Sequence, residues 1–201
     1  MTNVLIIGAT GTVGRAATEA ILKNTNDNLT LFSRSANKLS VADPSREKTI
    51  SGDVTNPADL DKALQGQDAV FAALSGNLGH FAKSIVEAMN RNGVKRLVFI
   101  TSMGIYNEIP ASVGGGNLRT NSTLRPYREA ADIIEASDLN YTIVRPGWFT
   151  NGPVNYEVTR KGEPFGGHDV SVASIGDLVQ KLVDDDSLYS RDSVGINTSE
   201  E

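Results

Sequence analysis

Cysteine is absent from this chain of 201 residues. That excludes disulfides, a thiolate nucleophile and a thiolate-held metal, and it is compatible with a reducing cytosol. Histidine is scarce as well: the 2 present, His80 and His168, are too isolated for a metal site, which needs several converging ligands. The acidic run Asp184-Asp185-Asp186 reads as a solvated helix end rather than a cation site. No apolar run approaches the length of a membrane span, and residues 1–23 carry neither a basic n-region nor a cleavage site. Basic blocks are missing too. With a formal net charge of -5, a phosphate-backbone partner is not expected, because nucleic-acid binders present a basic face. These absences leave the expectation of a soluble cytoplasmic protein without metal, membrane or nucleic-acid partners. Its length suits a single domain, residues 1–201, with a real core.

Glycine, by contrast, is placed with purpose. The run Val4-Leu5-Ile6-Ile7 feeds Gly8-Ala9-Thr10-Gly11-Thr12-Val13-Gly14, and a helical pattern follows from Arg15 to Lys23. An unalternated apolar run is the mark of a buried parallel strand. The glycines allow positive φ and close backbone approach. A helix start then offers unpaired N–H groups and positive dipole charge to a pyrophosphate. In this strand–turn–helix context the motif predicts a dinucleotide rather than a bare turn.

Further strands are predicted at Leu29–Phe32, Thr49–Ile50, Ala69–Ala73, Leu97–Thr101 and Tyr141–Val144. Helices are predicted at Thr12–Lys23, Ala58–Leu64, His80–Asn92, Leu124–Ala136 and Ile175–Val183, the last with Ser174-x-x-Asp177 as a capping box. Strands alternating with helices imply an α/β, doubly wound parallel sheet, the Rossmann fold, with no separate substrate domain. Two segments, near 105–121 and 148–172, read as irregular and substrate-side. The first holds Gly114-Gly115-Gly116 and is either a flexible connection or a substrate lid. The tail, rich in Ser, Asp and Glu, is expected to fray.

The second strand ends in Ser33-Arg34-Ser35 with no acid in reach. A carboxylate there would take the ribose 2′-OH, whereas arginine accommodates a 2′-phosphate. Arg34 offers a planar fork, with Ser33, Ser35 and Lys38 in support, so NADP(H) is preferred to NAD(H). Asp53 and Val54 follow the third strand, where Asp53 is read as an acceptor for the adenine amino group rather than a plain turn former. Ala73, Leu74 and Ser75 end the fourth strand in small residues that let ribose and nicotinamide lie close to backbone.

Together these residues, with Thr101-Ser102 and Tyr141-Thr142-Ile143-Val144-Arg145-Pro146-Gly147, resemble the atypical branch of the short-chain dehydrogenase/reductase superfamily. The likeness covers nearly the whole chain and is strongest to NmrA-like NAD(P)H-binding proteins and the biliverdin reductase B/flavin reductase group. It implies NADPH, reduction of a planar conjugated acceptor, and Pro146 with Trp148 and Phe149 passing beside the nicotinamide. Trp148 stands where biliverdin reductase B-like proteins carry histidine, which makes biliverdin a weaker candidate. The superfamily's Tyr-x-x-x-Lys pair, which shares one helix face, is missing: aligned on Ser137 and Tyr141, its positions fall on Thr123 and Tyr127. An alcohol–ketone proton relay is therefore not expected.

Ser102 holds the family's catalytic-serine position and either bonds a substrate carbonyl or supports the turn. Tyr106 either lines the pocket mouth or is a half-buried loop aromatic. Trp148 and Phe149 are candidates to stack on the acceptor, the alternative being that one packs on the sheet. Tyr127 reads as core packing before a substrate hydroxyl, and Arg145 as a structural partner of an acid before a phosphate ligand. The leading expectation is an NADPH-dependent reductase of a flavin, quinone or similar small molecule, acting as monomer or homodimer. The alternative is a non-catalytic NADP(H) sensor of NmrA type, with a protein partner and with segment 111–121 ordering on binding.

Overall fold

Val4, Leu5, Ile6 and Ile7 are apolar in succession, which a strand tolerates only where helices cover both faces of its sheet. In the computed structural model, which describes residues 1–199, they form β1 (Asn3–Ile7) and all four are buried. Leu5 and Ile7 point to one core cluster, Val4 and Ile6 to the other. The period of two along the strand thus feeds two hydrophobic layers.

The other parallel strands are β2 (Asn28–Ser33), β3 (Glu47–Ser51), β4 (Ala69–Ala72), β5 (Arg96–Ile100) and β6 (Asn140–Pro146). Helices α1 (Thr12–Asn24), α2 (Pro57–Leu64), α3 (Leu78–Asn92) and α4 (Arg125–Glu135) connect them, and α5 (Val172–Asp184) follows later. One core lies under α2, α3 and α4, the other under α1 and α5. The short strands β7 (Trp148–Thr150), β8 (Glu157–Arg160) and β9 (Asp169–Ser171) lie between β6 and α5, and β10 (Asp192–Asn197) closes the sheet. The strand order is β3-β2-β1-β4-β5-β6-β10-β8, with β7 and β9 paired apart. The order reverses between β1 and β4, where doubly wound folds open a crevice at the carboxyl ends of their strands.

Three expectations are corrected. The tail does not fray over 192–197: β10 pairs in parallel with β6 and antiparallel with β8. Its pattern, Asp-Ser-Val-Gly-Ile-Asn, hides a strand because two of the buried side chains are polar and partnered. Ser193 accepts from Arg145 Nε at 3.0 Å, and Asn197 donates to Glu157 at 2.8 Å. Gly195 is required beneath Phe165, since a Cβ there would lie 2.7 Å from its ring. Glu200 and Glu201, the rest of that tail, lie outside the described residues. Next, α5 begins three residues before its predicted start. Its N-cap is Ser171, which accepts from Ser174 N at 3.1 Å, so Ser174 and Asp177 form no capping box. Asp177 instead accepts from the Tyr156 hydroxyl at 2.8 Å. Finally, the segment 148–172, read as irregular, holds three short strands.

Among the described residues no helix is long and apolar enough to cross a membrane. Among the same residues no group of three His, Asp or Glu side chains is placed to hold a metal ion.

Candidate cofactor and acceptor site

The glycine turn closes over the end of β1. Gly8, at φ +86, packs so tightly that a Cβ would lie 2.0 Å from the Ala73 carbonyl oxygen. A Cβ on Gly14 would lie 2.2 Å from the Gly8 oxygen. Those two glycines are fixed by protein packing. Gly11 is different: a Cβ there would meet only the Gly8 oxygen, at 3.4 Å. Among the described residues nothing requires a glycine at that place, whereas a ligand pressed against the backbone would. Gly11 is also the N-cap of α1, with no side-chain cap and no acid in the first turn. Among the described residues the N–H groups of Thr12 and Val13 have no acceptor. A dinucleotide pyrophosphate fits this open, positively polarised helix start. The side chain of Val13 is buried, so its contribution to a ligand is the backbone alone.

From the turn a hollow of about 380 Å³ runs along the strand ends. It brings together Gly8, Thr10 and Gly11 with Ser33, Arg34 and Ser35, and it is continued by Asp53, Val54, Ala73, Leu74 and Ser75. Arg34 is exposed and, among the described residues, makes no ion pair or hydrogen bond, leaving its guanidinium available. Asp53 accepts from the Thr55 N–H and hydroxyl, each at 2.8 Å. Those bonds hold its carboxyl below the usual range, with a smaller pull from Arg34. Asp53 is thus an ionised acceptor with one oxygen still open. Ala9 lies on the other side of the turn, buried beside a separate hollow that it shares with Arg15. Arg15 braces the turn, its Nε donating to the Thr10 carbonyl at 3.0 Å.

Beyond β4 the same edge opens into a cleft of about 410 Å³. Ser102, Pro146, Trp148 and Phe149 line it, together with Gly116 and Asn121 from the segment read as substrate-side, Thr123 at the family's tyrosine position, and Met103 and Leu124, which the sequence did not single out. Tyr127 lines it too, although its ring also packs against the core. Among the described residues no Asp, Glu, Lys, Arg or His side chain lines the cleft. Trp148 and Phe149 are 61% and 49% exposed, so neither is buried against the sheet. Trp148 stacks on His168, the rings tilted by 14° with centroids 6.1 Å apart. Neither histidine joins a metal cluster among the described residues.

The cleft wall is latched rather than loose. Arg145, fully buried on β6, pairs with Glu108 and holds Ser193 on β10. Glu108 in turn accepts from Gly104 N and Tyr106 N, each at 3.0 Å. Asn117 holds both the N–H and the carbonyl of Ile109 at 3.0 Å, and Asn107 accepts from Arg119 N at 2.8 Å. The glycine-rich segment is therefore cross-braced. Tyr106 does not line the cleft. Its hydroxyl donates to Glu135 at 2.7 Å, with Arg128, Arg145 and Lys161 around its ring. Burial pushes its phenol well above the ordinary range, so it keeps its proton at neutral pH. Ser102 lies in the cleft, but its hydroxyl donates to the Met103 carbonyl at 3.1 Å.

Comparison with known proteins agrees with this geometry. A family model described as NAD(P)H-binding matches residues 8–186. The chain is similar to a Rossmann-fold NAD(P)-binding family protein from Shigella flexneri, with 38% identity and a TM-score of 0.82 over 100% of this chain and 98% of that one. It is also similar to a short-chain dehydrogenase/reductase (wide type) from Veillonella parvula in complex with NADP. There the identity is 25% and the TM-score 0.87, over 98% of this chain and 94% of the other. An NAD(P)H azoreductase from Xenophilus azovorans is 26% identical over 187 residues, which span 90% of this chain and 62% of the relative.

Proposed function

The chain belongs to the NAD(P)H-binding family, and from that premise we propose that it is an NADPH-dependent oxidoreductase that reduces a flavin, quinone or similar conjugated small molecule. The observation that carries the reading is the cleft: uncharged, edged by two exposed aromatic rings, and next to the cofactor hollow along one sheet edge. When bound, NADPH supplies a hydride. Gly11 and the first turn of α1 hold the pyrophosphate, Arg34 with Ser33 and Ser35 the 2′-phosphate, and Asp53 the adenine amino group. Val54, Ala73, Leu74 and Ser75 give the ribose and nicotinamide a close-fitting floor, and Pro146 the far wall. The relative complexed with NADP supports NADP(H) as the cofactor.

Trp148 and Phe149 stack on the acceptor and fix its plane, which supplies proximity rather than acid–base chemistry. Thr123 and Tyr127 stand in place of the Tyr-x-x-x-Lys pair, and a conjugated acceptor tolerates that loss. Incoming negative charge spreads over its ring system, and solvent provides the proton that completes the two-electron reduction. The azoreductase relative is in keeping with a conjugated acceptor. The alternative is a sensor that orders segment 111–121 on binding, a segment that Asn117 ties to Ile109.

The test is steady-state NADPH oxidation with riboflavin, FMN, several quinones and an azo dye. Saturable turnover with at least one is expected. Rates equal to the uncatalysed background for all of them would remove the enzymatic reading.

A further inference from the structure

Four side-chain hydroxyls line the cleft, and three are already committed. Thr101 donates to the Val144 carbonyl at 3.3 Å, Ser102 to the Met103 carbonyl at 3.1 Å, and Thr123 to Asn121 Oδ1 at 2.6 Å. The fourth, on Tyr127, has no hydrogen-bond partner among the described residues. Its ring is half-buried against the core, so the side chain is held while its polar end remains available. The other donors at the cleft lie toward the glycine wall. Asn121 Nδ2 is packed close to Gly116, and the Trp148 indole nitrogen sits over Gly115. Tyr127 approaches instead from α4. Among the described residues no ionised side chain accompanies it in the lining.

Resting on the reductase reading, we propose that Tyr127 is the cleft's hydrogen-bond donor to the acceptor. The acceptor it selects is a neutral conjugated ring that carries a carbonyl-type oxygen. A phenol in an uncharged pocket gives most to an acceptor whose oxygen gains electron density, since an unmade bond in a partly desolvated site is costly. The bond is formed without net proton transfer: hydride enters the ring from the nicotinamide, and the proton that completes the quinol comes from solvent. An anionic ring would leave its charge unpaired in a lining that offers no cation.

Trp148, the chain's 1 tryptophan, reports occupancy of the cleft by its fluorescence. Protein saturated with NADP⁺, which cannot turn over, is titrated with 1,4-naphthoquinone and with naphthalene, which has the rings but no oxygen. Tyr127→Phe is expected to weaken quinone binding about three- to tenfold, the range for one hydrogen bond, and to leave naphthalene binding unchanged. The quinone's 2-sulfonate should bind wild type more weakly than the neutral parent. Unchanged quinone affinity in the variant would overturn the proposal, and so would an equal loss for both ligands, which marks a packing role. Wild type that fails to bind the quinone, or that binds the sulfonate as well as its parent, contradicts it too. Quinone binding that depends on Tyr127 without any NADPH oxidation would instead sink the reductase reading while leaving the donor in place.

Discussion

Along one sheet edge the cofactor hollow is made chiefly of backbone, and the neighbouring cleft chiefly of side chains brought from distant segments. In the hollow, two glycines are fixed by packing and a third by an open approach, while N–H groups at the start of α1 await a partner. In the cleft, the ends of β5 and β6 meet the start of α4, β7 and a braced loop. On the proposed reading the first region holds the dinucleotide and the second sets what is reduced; the wall of the second is held by a buried ion pair that lines neither.

The sharpest way to break that contrast is to cut the latch. Glu108→Ala leaves Arg145 charged and unpaired in the core, and loss of one partner of such a pair costs about 3–5 kcal/mol. Chemical denaturation should show that loss. Glu108→Gln keeps the shape and part of the bonding to Gly104 and Tyr106, and should cost less. If both variants unfold like wild type, the wall is held by something else.

In the hollow, Arg34→Glu replaces a charge-assisted contact by a repulsive one and should weaken NADPH binding by about 2–4 kcal/mol. NADH, which lacks the 2′-phosphate, should be nearly unaffected, and quinone binding in the cleft should not change. Equal affinity of wild type for both cofactors, measured by fluorescence titration, would make Arg34 a mere surface charge.

Gly11→Ala sharpens the distinction within the turn. Its φ of -79 suits alanine, and the new Cβ has room in the protein. Stability should hold within about 0.5 kcal/mol, while NADPH and NADH both bind about tenfold more weakly because the methyl group displaces the pyrophosphate. A wild-type affinity would move the pyrophosphate elsewhere.

This division also explains what the sequence made legible. Gly8 to Gly14, Arg34, Asp53 and the small residues after β4 carry their meaning locally, because a strand, a turn and a helix start lie within one short segment. Gly8, Thr10, Gly11, Arg34, Asp53 and Ala73 to Ser75 line one hollow, whereas Ala9 lies beside another and Thr12, Val13 and Gly14 line neither. The cleft depends on long-range meetings that no local pattern announces. Tyr106 reads the same on paper whether it lines a pocket or bonds Glu135, a choice made 29 residues away. Tyr127 occupies a core-facing helical position and still lines the cleft. Strand β10 escaped notice for a related reason, since Ser193 and Asn197 find buried partners on other strands.

The smallest expected effect lies outside both regions. The carboxyl of Asp184 is pushed up to about 6, first by partial desolvation and then by the neighbouring carboxyl of buried Asp27. A carboxyl raised above its unfolded value stabilises the fold below that value, and the contribution fades as pH rises through the folded one. Asp184 is exposed, so solvent screening holds the effect below about 1 kcal/mol, or roughly 3 °C in Tm. Thermal melts at pH 5 and pH 8 should differ less in Asp184→Asn than in wild type. Identical differences would show that Asp184 contributes nothing to the pH dependence.

The central claim is that cofactor hollow and cleft form one reaction path. Anaerobic stopped-flow mixing of NADPH-loaded protein with 1,4-naphthoquinone, following the nicotinamide absorbance, tests it most directly. Oxidation should saturate with quinone concentration and slow when the transferred hydrogen of NADPH is deuterium. A rate equal to the uncatalysed reaction at every quinone concentration, with both ligands shown to be bound, would contradict it.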